Sequence, residues 1–201
     1  MKKYELTGDS KVFLGRKLFR IRALISFGDV GAGDVGGYIE NEKNLSQDGD
    51  AWVCGNALVC GNAKVYGNAL VYGEAEVYED AKVCGNAEVC GNALVYGNAE
   101  VYGNAEVYGN AEVYGDAKVC GNALVCGNAD YATVHGFGSE CRTTTFFRDK
   151  NGGVSVRCGC FSGTLDEFRE KAKRTHRGTK YEREYLAIAD LMEKHFEEDG
   201  L

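Results

Sequence analysis

Residues 88–99 read Glu-Val-Cys-Gly-Asn-Ala-Leu-Val-Tyr-Gly-Asn-Ala, which is two copies of one six-residue motif, Val-(Tyr/Cys)-Gly-Asn-Ala-x. The motif recurs over residues 51–130, where thirteen valines keep its step and Tyr131 takes the place of a fourteenth. A helix needs apolar residues at a period of 3.6 and a simple strand at a period of 2, so a period of six predicts short strands joined by regular corners. A period sustained over this length predicts a solenoid.

The residue types predict how each copy of the motif folds. Strand alternation places Ala and Val inside, and it places the residue before Val and the Tyr or Cys after it outside. We expect Gly-Asn to form the corner, because both residues tolerate the left-handed backbone conformation of a tight bend. Asp80 and Asp116 replace Asn in two copies and are expected to do the same.

The motif resembles that of the bacterial hexapeptide-repeat superfamily, and the resemblance covers about half of the chain. It implies a mainly β fold, a left-handed parallel β-helix with three flat sides and three copies of the motif per turn. The segments Gly33–Glu40 and Cys158–Leu165 extend the resemblance to the YdcK-type proteins of bacteria and their prophages, a group with no firmly assigned activity.

Three copies per turn predict three outward columns of side chains. The first side carries Trp52, Leu70, Glu88, Glu106 and Leu124, with Cys54, Tyr72, Cys90, Tyr108 and Cys126. The second side carries Leu58, Glu76, Leu94 and Glu112, with Cys60, Tyr78, Tyr96 and Tyr114. The third side carries Lys64, Lys82, Glu100 and Lys118, with Tyr66, Cys84, Tyr102 and Cys120. Exposed leucine and tyrosine columns are typical of contact surfaces.

We therefore expect self-association or a partner on the first or second side, and on the second side the candidate contact residues are Tyr78, Tyr96, Tyr114, Leu58 and Leu94. The alternative is that the tyrosines stack only to stiffen the solenoid.

The solenoid is predicted to lie between two different terminal parts, because open ends would expose apolar side chains and unpaired backbone groups. Residues 1–50 are predicted to form a β cap, residues 51–137 the solenoid, and residues 138–201 an α+β unit. The cap has strand candidates at Tyr4–Leu6, Lys11–Phe13 and Leu18–Leu24, and its glycine-rich segment Gly28–Ile39 is a candidate for a first, imperfect coil.

The α+β unit is predicted to be a hairpin followed by two helices. Thr143–Arg148 and Val154–Cys160 alternate as strands around a turn-rich join. A capping box at Thr164 opens the first helix, and the second follows Gly178. This unit either covers the last coil or stands off it as a working domain.

The net charge of −7 is concentrated in the solenoid, where ten acidic residues stand against three lysines between residues 51 and 130. An acidic rod is not expected to bind nucleic acid along its sides, although it could imitate a polyanion. No apolar run is long enough for a membrane span, and residues 1–6 lack the apolar segment of a secretion signal, so we expect a cytoplasmic protein without membrane contact.

Two groups of residues in the C-terminal part could carry chemistry. Cys141, Cys158 and Cys160 could bind zinc with His135, but the Cys-x-Cys spacing is less specific than paired Cys-x-x-Cys knuckles, and we expect no metal or other cofactor. Lys171, Arg174 and Arg177 belong to a basic cluster where phosphate could bind, or which is simply a solvated helix end.

The predicted function is that of a non-catalytic binding or scaffold protein, a homo-oligomer that associates through a solenoid side or the C-terminal helices. A host protein or a small ligand is the expected partner, so that the protein inhibits a host factor or sequesters a signalling molecule. The alternative is acyl transfer from an acyl-CoA or carrier-protein thioester, which the superfamily resemblance suggests. The repeat contains no histidine and no inserted loop, and His135 lies only at its edge.

Overall fold

The computed structural model describes residues 2–197 of the chain. Its fold is mainly β, with a parallel β-solenoid between an N-terminal antiparallel part and a C-terminal sheet that carries two helices. The N-terminal strands are β1 (Tyr4–Phe13), β2 (Arg16–Ala23) and β3 (Val35–Ile39). None of the helices within the described residues is long and apolar enough to cross a membrane.

The solenoid is built from two-residue strands, one for each copy of the motif. They are β4 (Trp52–Val53), β5 (Leu58–Val59), β6 (Lys64–Val65), β7 (Leu70–Val71), β8 (Glu76–Val77), β9 (Lys82–Val83), β10 (Glu88–Val89), β11 (Leu94–Val95), β12 (Glu100–Val101), β13 (Glu106–Val107), β14 (Glu112–Val113), β15 (Lys118–Val119) and β16 (Leu124–Val125). Each strand from β4 to β13 pairs in parallel with the strand three copies further on, as Val77 does with Val95. The three-sided solenoid implied by the superfamily resemblance is therefore confirmed, and the three columns have the predicted register. Some of their residues are nevertheless buried, namely Trp52, Leu58, Cys60 and Cys120.

Valine and alanine fill the inside of the solenoid. Every motif valine and every motif alanine from Ala51 to Val125 is at most 1% exposed. A three-sided tube of short strands is narrow, so its interior has room for a small residue near each corner and a β-branched residue at mid-strand, and the β-branched residue also suits the strand conformation. Burial of apolar surface along this continuous core is what stabilises the solenoid.

Glycine supplies the left-handed conformation at the corners, except at one corner where Glu79 takes the place of the motif glycine with a φ of 60°. The motif glycines that turn the corners have φ between 65° and 77°, and among the described residues only Leu14, Glu79 and Cys141 share a positive φ without being glycine. The expectation that Asn, Asp80 and Asp116 also adopt this conformation is therefore wrong.

The asparagines instead form hydrogen-bonded ladders between coils. The Asn68 amide donates to Oδ1 of Asn86 at 3.1 Å, and the Asn86 amide donates to Oδ1 of Asn104 at 3.0 Å. Asp116 accepts from Asn98 at the last step of its column, where an acceptor is sufficient. Asn suits the motif because an amide can both accept from one coil and donate to the next, whereas a carboxylate can only accept.

The N-terminal cap extends the sheet of the second side. β1 and β2 form an antiparallel hairpin, and β3 pairs antiparallel with β2 and parallel with β5. The candidates Tyr4–Leu6 and Lys11–Phe13 are one strand, interrupted by an irregularity between Leu6 and Ser10. Only Val35–Ile39 of the glycine-rich segment joins the solenoid as a strand.

Buried polar groups complete the hydrogen bonding of the first coil. The Lys3 ammonium donates to the carbonyls of Gly49 and Ala51, and the buried Asn44 amide donates to those of Gly61 and Ala63. These side chains satisfy carbonyls that have no strand beyond them, so the cap closes the open end of the ladder.

The C-terminal sheet contains β17 (Tyr131–Phe137), β18 (Arg142–Arg148), β19 (Val154–Cys158) and β20 (Phe161–Thr164), paired antiparallel in that order. The predicted hairpin is confirmed as β18 and β19, whereas β20 was missed because Gly159 turns the chain within the segment assigned to one strand. Phe147 and Tyr131 belong to the solenoid core, and the Lys150 amide donates to the Asn122 carbonyl. The sheet therefore covers the last coil.

The two predicted helices are confirmed as α1 (Leu165–Thr175) and α2 (Lys180–Phe196). Thr164 and Glu167 form the capping box of α1. Both helices pack on the outer face of the C-terminal sheet through a second core, which contains Phe146, Val156, Leu165, Phe168, Ile188, Ala189, Met192 and Phe196.

Candidate functional site

Three tyrosines of the second side form a continuous stack. The centroids of the Tyr78 and Tyr96 rings are 5.0 Å apart, and the ring planes are inclined by 2°. For the Tyr96 and Tyr114 rings the centroid distance is 5.4 Å and the angle between the planes is 13°. The stack arises because identical residues recur in neighbouring coils, so that their rings face each other along the solenoid axis. We call Tyr78, Tyr96 and Tyr114 the tyrosine stack.

The N-terminal end of the tyrosine stack is closed by the cap. The Phe13 ring of β1 meets the Tyr78 ring edge to face, with centroids 6.1 Å apart. Leu58, a sequence candidate for partner contact, is only 7% exposed and packs with Leu18 and Cys60 in the same small cluster. The accessible part of the second side therefore lies beyond Leu58 and Cys60, where Glu76, Tyr78 and Leu94 are half-buried.

The C-terminal end of the stack is open. Tyr114 is 51% exposed, more than either of the other two tyrosines. The next position of its column is Ala132, where the chain has left the motif and the side chain is a methyl group. A surface pocket of about 520 Å³ lies here, lined by Tyr96, Glu112, Tyr114, Asn128, Tyr131, Ala132 and Thr133. One face of the Tyr114 ring thus borders a concave surface.

The charge of this pocket is negative. Glu112 is its acidic side chain; the Tyr96 hydroxyl donates to the Glu112 carboxylate at 3.4 Å, and the Glu112 amide donates to Oδ1 of Asn128 at 2.8 Å. Burial, together with the nearby Glu112 carboxylate, raises the pKa of Tyr96, and burial raises the pKa of Tyr78 to about 12. The phenols of Tyr96 and Tyr78 therefore remain neutral at pH 7, and the Glu112 carboxylate of the pocket favours a cation.

The basic candidates lie apart from the tyrosine stack. Lys171 and Arg174 are on α1 and line a surface depression of about 590 Å³ with Phe161, Glu167 and other residues. Arg177 follows α1, is exposed, and does not line that depression. The structure therefore gathers the sequence candidates at two separate places, the second side and the C-terminal unit.

The cysteine and histidine candidates are not arranged around a common point. His135 is exposed on β17, and its Nδ1 lies 2.9 Å from the Thr143 hydroxyl. Cys158 accepts a hydrogen bond from the Thr144 hydroxyl, whereas Cys141 and Cys160 are exposed. Within residues 2–197 no three His, Cys, Asp or Glu side chains are grouped closely enough to hold a metal ion.

Some residues of the open pocket were not among the sequence candidates. Ala132 and Thr133 could have been found by counting one coil beyond Tyr114 in the repeat. Asn128 could not, because it holds a motif position but lies in a short 3-10 helix (Asn128–Asp130) that ends the repeat. The closing Phe13 could not, because it belongs to a segment outside the motif.

Comparison with protein-family models and with curated proteins finds no match to this chain. The geometry of the tyrosine stack and of the C-terminal unit is therefore the basis on which a function is proposed.

Proposed function

We propose that the protein is a non-catalytic binding scaffold that captures a protein partner on the second side, at the open end of the tyrosine stack. The observation that supports this most directly is the exposed face of the Tyr114 ring beside the Glu112 carboxylate. A rigid solenoid suits this role because a pre-organised surface loses little conformational entropy on binding.

The chemistry of the pocket favours an arginine side chain of the partner. A guanidinium group is planar, stacks on aromatic faces and pairs with carboxylates, so it could lie on Tyr114 and contact Glu112. A phosphate-bearing ligand would meet the same carboxylate and the acidic solenoid unfavourably. Capture of a protein is therefore preferred here to capture of a nucleotide.

The flanking segments Gly33–Glu40 and Cys158–Leu165 support a place among the YdcK-type proteins, as part of the same proposal. Inhibition of a host factor by a prophage protein is consistent with this placement. Acyl transfer lacks a supporting observation, since within the described residues the His135 ring bonds only to a threonine hydroxyl and contacts no carboxylate.

Retention of a partner from bacterial lysate on the immobilised protein tests the proposal. Tyr114→Ser should abolish retention, because it removes the ring that borders the pocket. Tyr66→Ser is the matched control, since Tyr66 is 40% exposed on the third side and has no stacked ring above or below it in the described structure. Equal retention by the wild type and Tyr114→Ser would refute the assignment of this surface.

A further inference from the structure

A cleft of about 220 Å³ lies in the C-terminal unit, between the sheet and the two helices. We call it the C-terminal cleft, and the residues that bear on its chemistry are Arg142, Phe161, Phe168, Lys171, His176 and Tyr185. It is separate from the tyrosine stack, and it holds a different combination of groups, aromatic rings and cations.

The floor of the C-terminal cleft is aromatic. The Phe168 ring centroid lies 5.7 Å from that of Phe161 and 5.5 Å from that of Tyr185, and the His176 ring is 5.4 Å from the Tyr185 ring. Phe168 is only 4% exposed, so the packing of the core fixes these rings in place. A fixed aromatic floor suits a flat apolar group.

The rim of the cleft carries two cations with little local compensation. Lys171 forms no ion pair within residues 2–197, and Arg142 pairs only with Glu140, at 3.5 Å, with both side chains more than half exposed. Other cations of the unit differ: Lys173 lies 2.8 Å from Glu170 and Arg169 contacts three carboxylates. In the described part of the chain Arg174 and Arg177 also form no ion pair, but neither lines the cleft. The two Lys or Arg side chains that line the cleft are therefore Lys171, which is unpaired, and Arg142, which has one weak and exposed ion pair.

The helix dipole does not account for this arrangement. The dipole favours cations in the last turn of α1, which explains Lys173 but not Lys171, which lies before that turn. Nor does it explain Arg142, which begins β18 and reaches the same cleft from the sheet. Two elements therefore each bring a cation to one aromatic floor.

We infer that the C-terminal cleft binds a small aromatic anion, with its ring on Phe161, Phe168 and Tyr185 and its carboxylate or phosphate between Arg142 and Lys171. This site goes beyond the proposed capture of a protein partner and does not depend on it. Glu140 competes with the ligand for Arg142, so binding displaces the weak Arg142–Glu140 pair.

Titration with 2-naphthyl phosphate, followed by backbone amide NMR shifts, tests the inference, with 2-naphthol and inorganic phosphate as the neutral and ringless comparisons. We expect shifts around Phe161, Phe168 and Tyr185, and binding weaker by about tenfold or more for either comparison compound. Comparable affinity for 2-naphthol or for inorganic phosphate would overturn the inference.

Two lysines of one helix provide a matched pair of variants. Lys171→Gln should weaken the binding of 2-naphthyl phosphate by about tenfold, whereas Lys173→Gln removes a cation outside the cleft and should change it less than about twofold. Glu140→Gln should tighten binding. Circular dichroism and thermal unfolding establish that each variant is folded, and equal effects of the two lysine substitutions would contradict the site.

Discussion

The Tyr96 ring lies between those of Tyr78 and Tyr114, nearly parallel to both, so it has a stacked partner on each face. Tyr114 has one such partner and one open face. We therefore expect Tyr96 to contribute more to stability, and the open face of Tyr114 to be available for binding.

Tyr96→Ser should therefore lower the free energy of unfolding by about 1 to 2 kcal/mol, because it removes two ring contacts. Tyr114→Ser removes one and should lower it by about half as much. Chemical denaturation of the two variants beside Tyr66→Ser measures the difference. A larger loss for Tyr114→Ser than for Tyr96→Ser would contradict the stacking order.

The asparagine ladder predicts a contrast between two Asn→Asp substitutions. Asn86 accepts from Asn68 and donates to Asn104, whereas Asn122 accepts from Asn104 at the last step of the same column. Asn86→Asp loses the donor and faces the Asn104 oxygen with a charge, so it should destabilise the protein by about 1 kcal/mol or more. Asn122→Asp should be nearly neutral. Thermal unfolding at pH 7 compares them, and equal losses would show that the ladder does not contribute to stability.

The close spacing of the coils predicts different outcomes at two corner glycines. Gly97 and Gly115 have similar φ values of 72° and 65°, so Ala is strained by about 1 kcal/mol at each. A Cβ at Gly97 would lie 2.8 Å from the Gly115 nitrogen, whereas a Cβ at Gly115 meets nothing within 4 Å. Gly97→Ala should therefore be the more destabilising by at least about 1 kcal/mol, since overpacking adds to the strain. Urea denaturation of both variants checks this, and equal losses would mean that the coils are further apart.

The third side contains a charged ladder that predicts a pH dependence. The Glu100 carboxylate lies 3.2 Å from the Lys82 ammonium and 2.9 Å from that of Lys118. Burial alone would raise the Glu100 pKa, but the hydrogen bonds from Lys118 and Lys82 outweigh it and leave the pKa below its ordinary value. Because the Glu100 pKa is lower in the folded than in the unfolded state, the ionised carboxylate stabilises the fold. This contribution is fully present above the unfolded-state pKa of about 4.3, and it is lost as the pH falls through the folded-state pKa.

Glu100→Gln should accordingly lower the free energy of unfolding at pH 7, by less than about 1 kcal/mol because the three groups are partly exposed. The difference from the wild type should close as the pH falls below about 4. Denaturation series at several pH values measure it. A difference that stays constant down to pH 2 would contradict the role of the ionised carboxylate.

The repeat predicted the solenoid and the inward and outward positions well because each depends on one local rule repeated many times, and the superfamily resemblance added the three sides. In each copy of the motif the valine points inward and the next residue points outward, as Val95 and Tyr96 do, so these positions follow from counting along the repeat. The closure of the second side by Phe13 could not be predicted, because it depends on how a long hairpin with an irregularity folds over distant residues. The C-terminal cleft could not be predicted from the sequence either, because Arg142 and Lys171 come to line one cleft only when the sheet and the helices pack together.

The expected self-association remains a prediction, and so does the cytoplasmic location. The mass of the protein in solution would test the first, and its distribution among fractionated compartments would test the second. Neither affects the geometry of the tyrosine stack.

The most direct test of the proposed function is an amide NMR titration of the protein with blocked arginine, compared with blocked lysine. Stacking of a guanidinium on Tyr114 predicts shifts at Tyr96, Glu112, Tyr114 and Thr133, larger for arginine than for lysine, because only the guanidinium is planar. Shifts confined to other sides of the solenoid, or equal shifts with both compounds, would contradict the proposal.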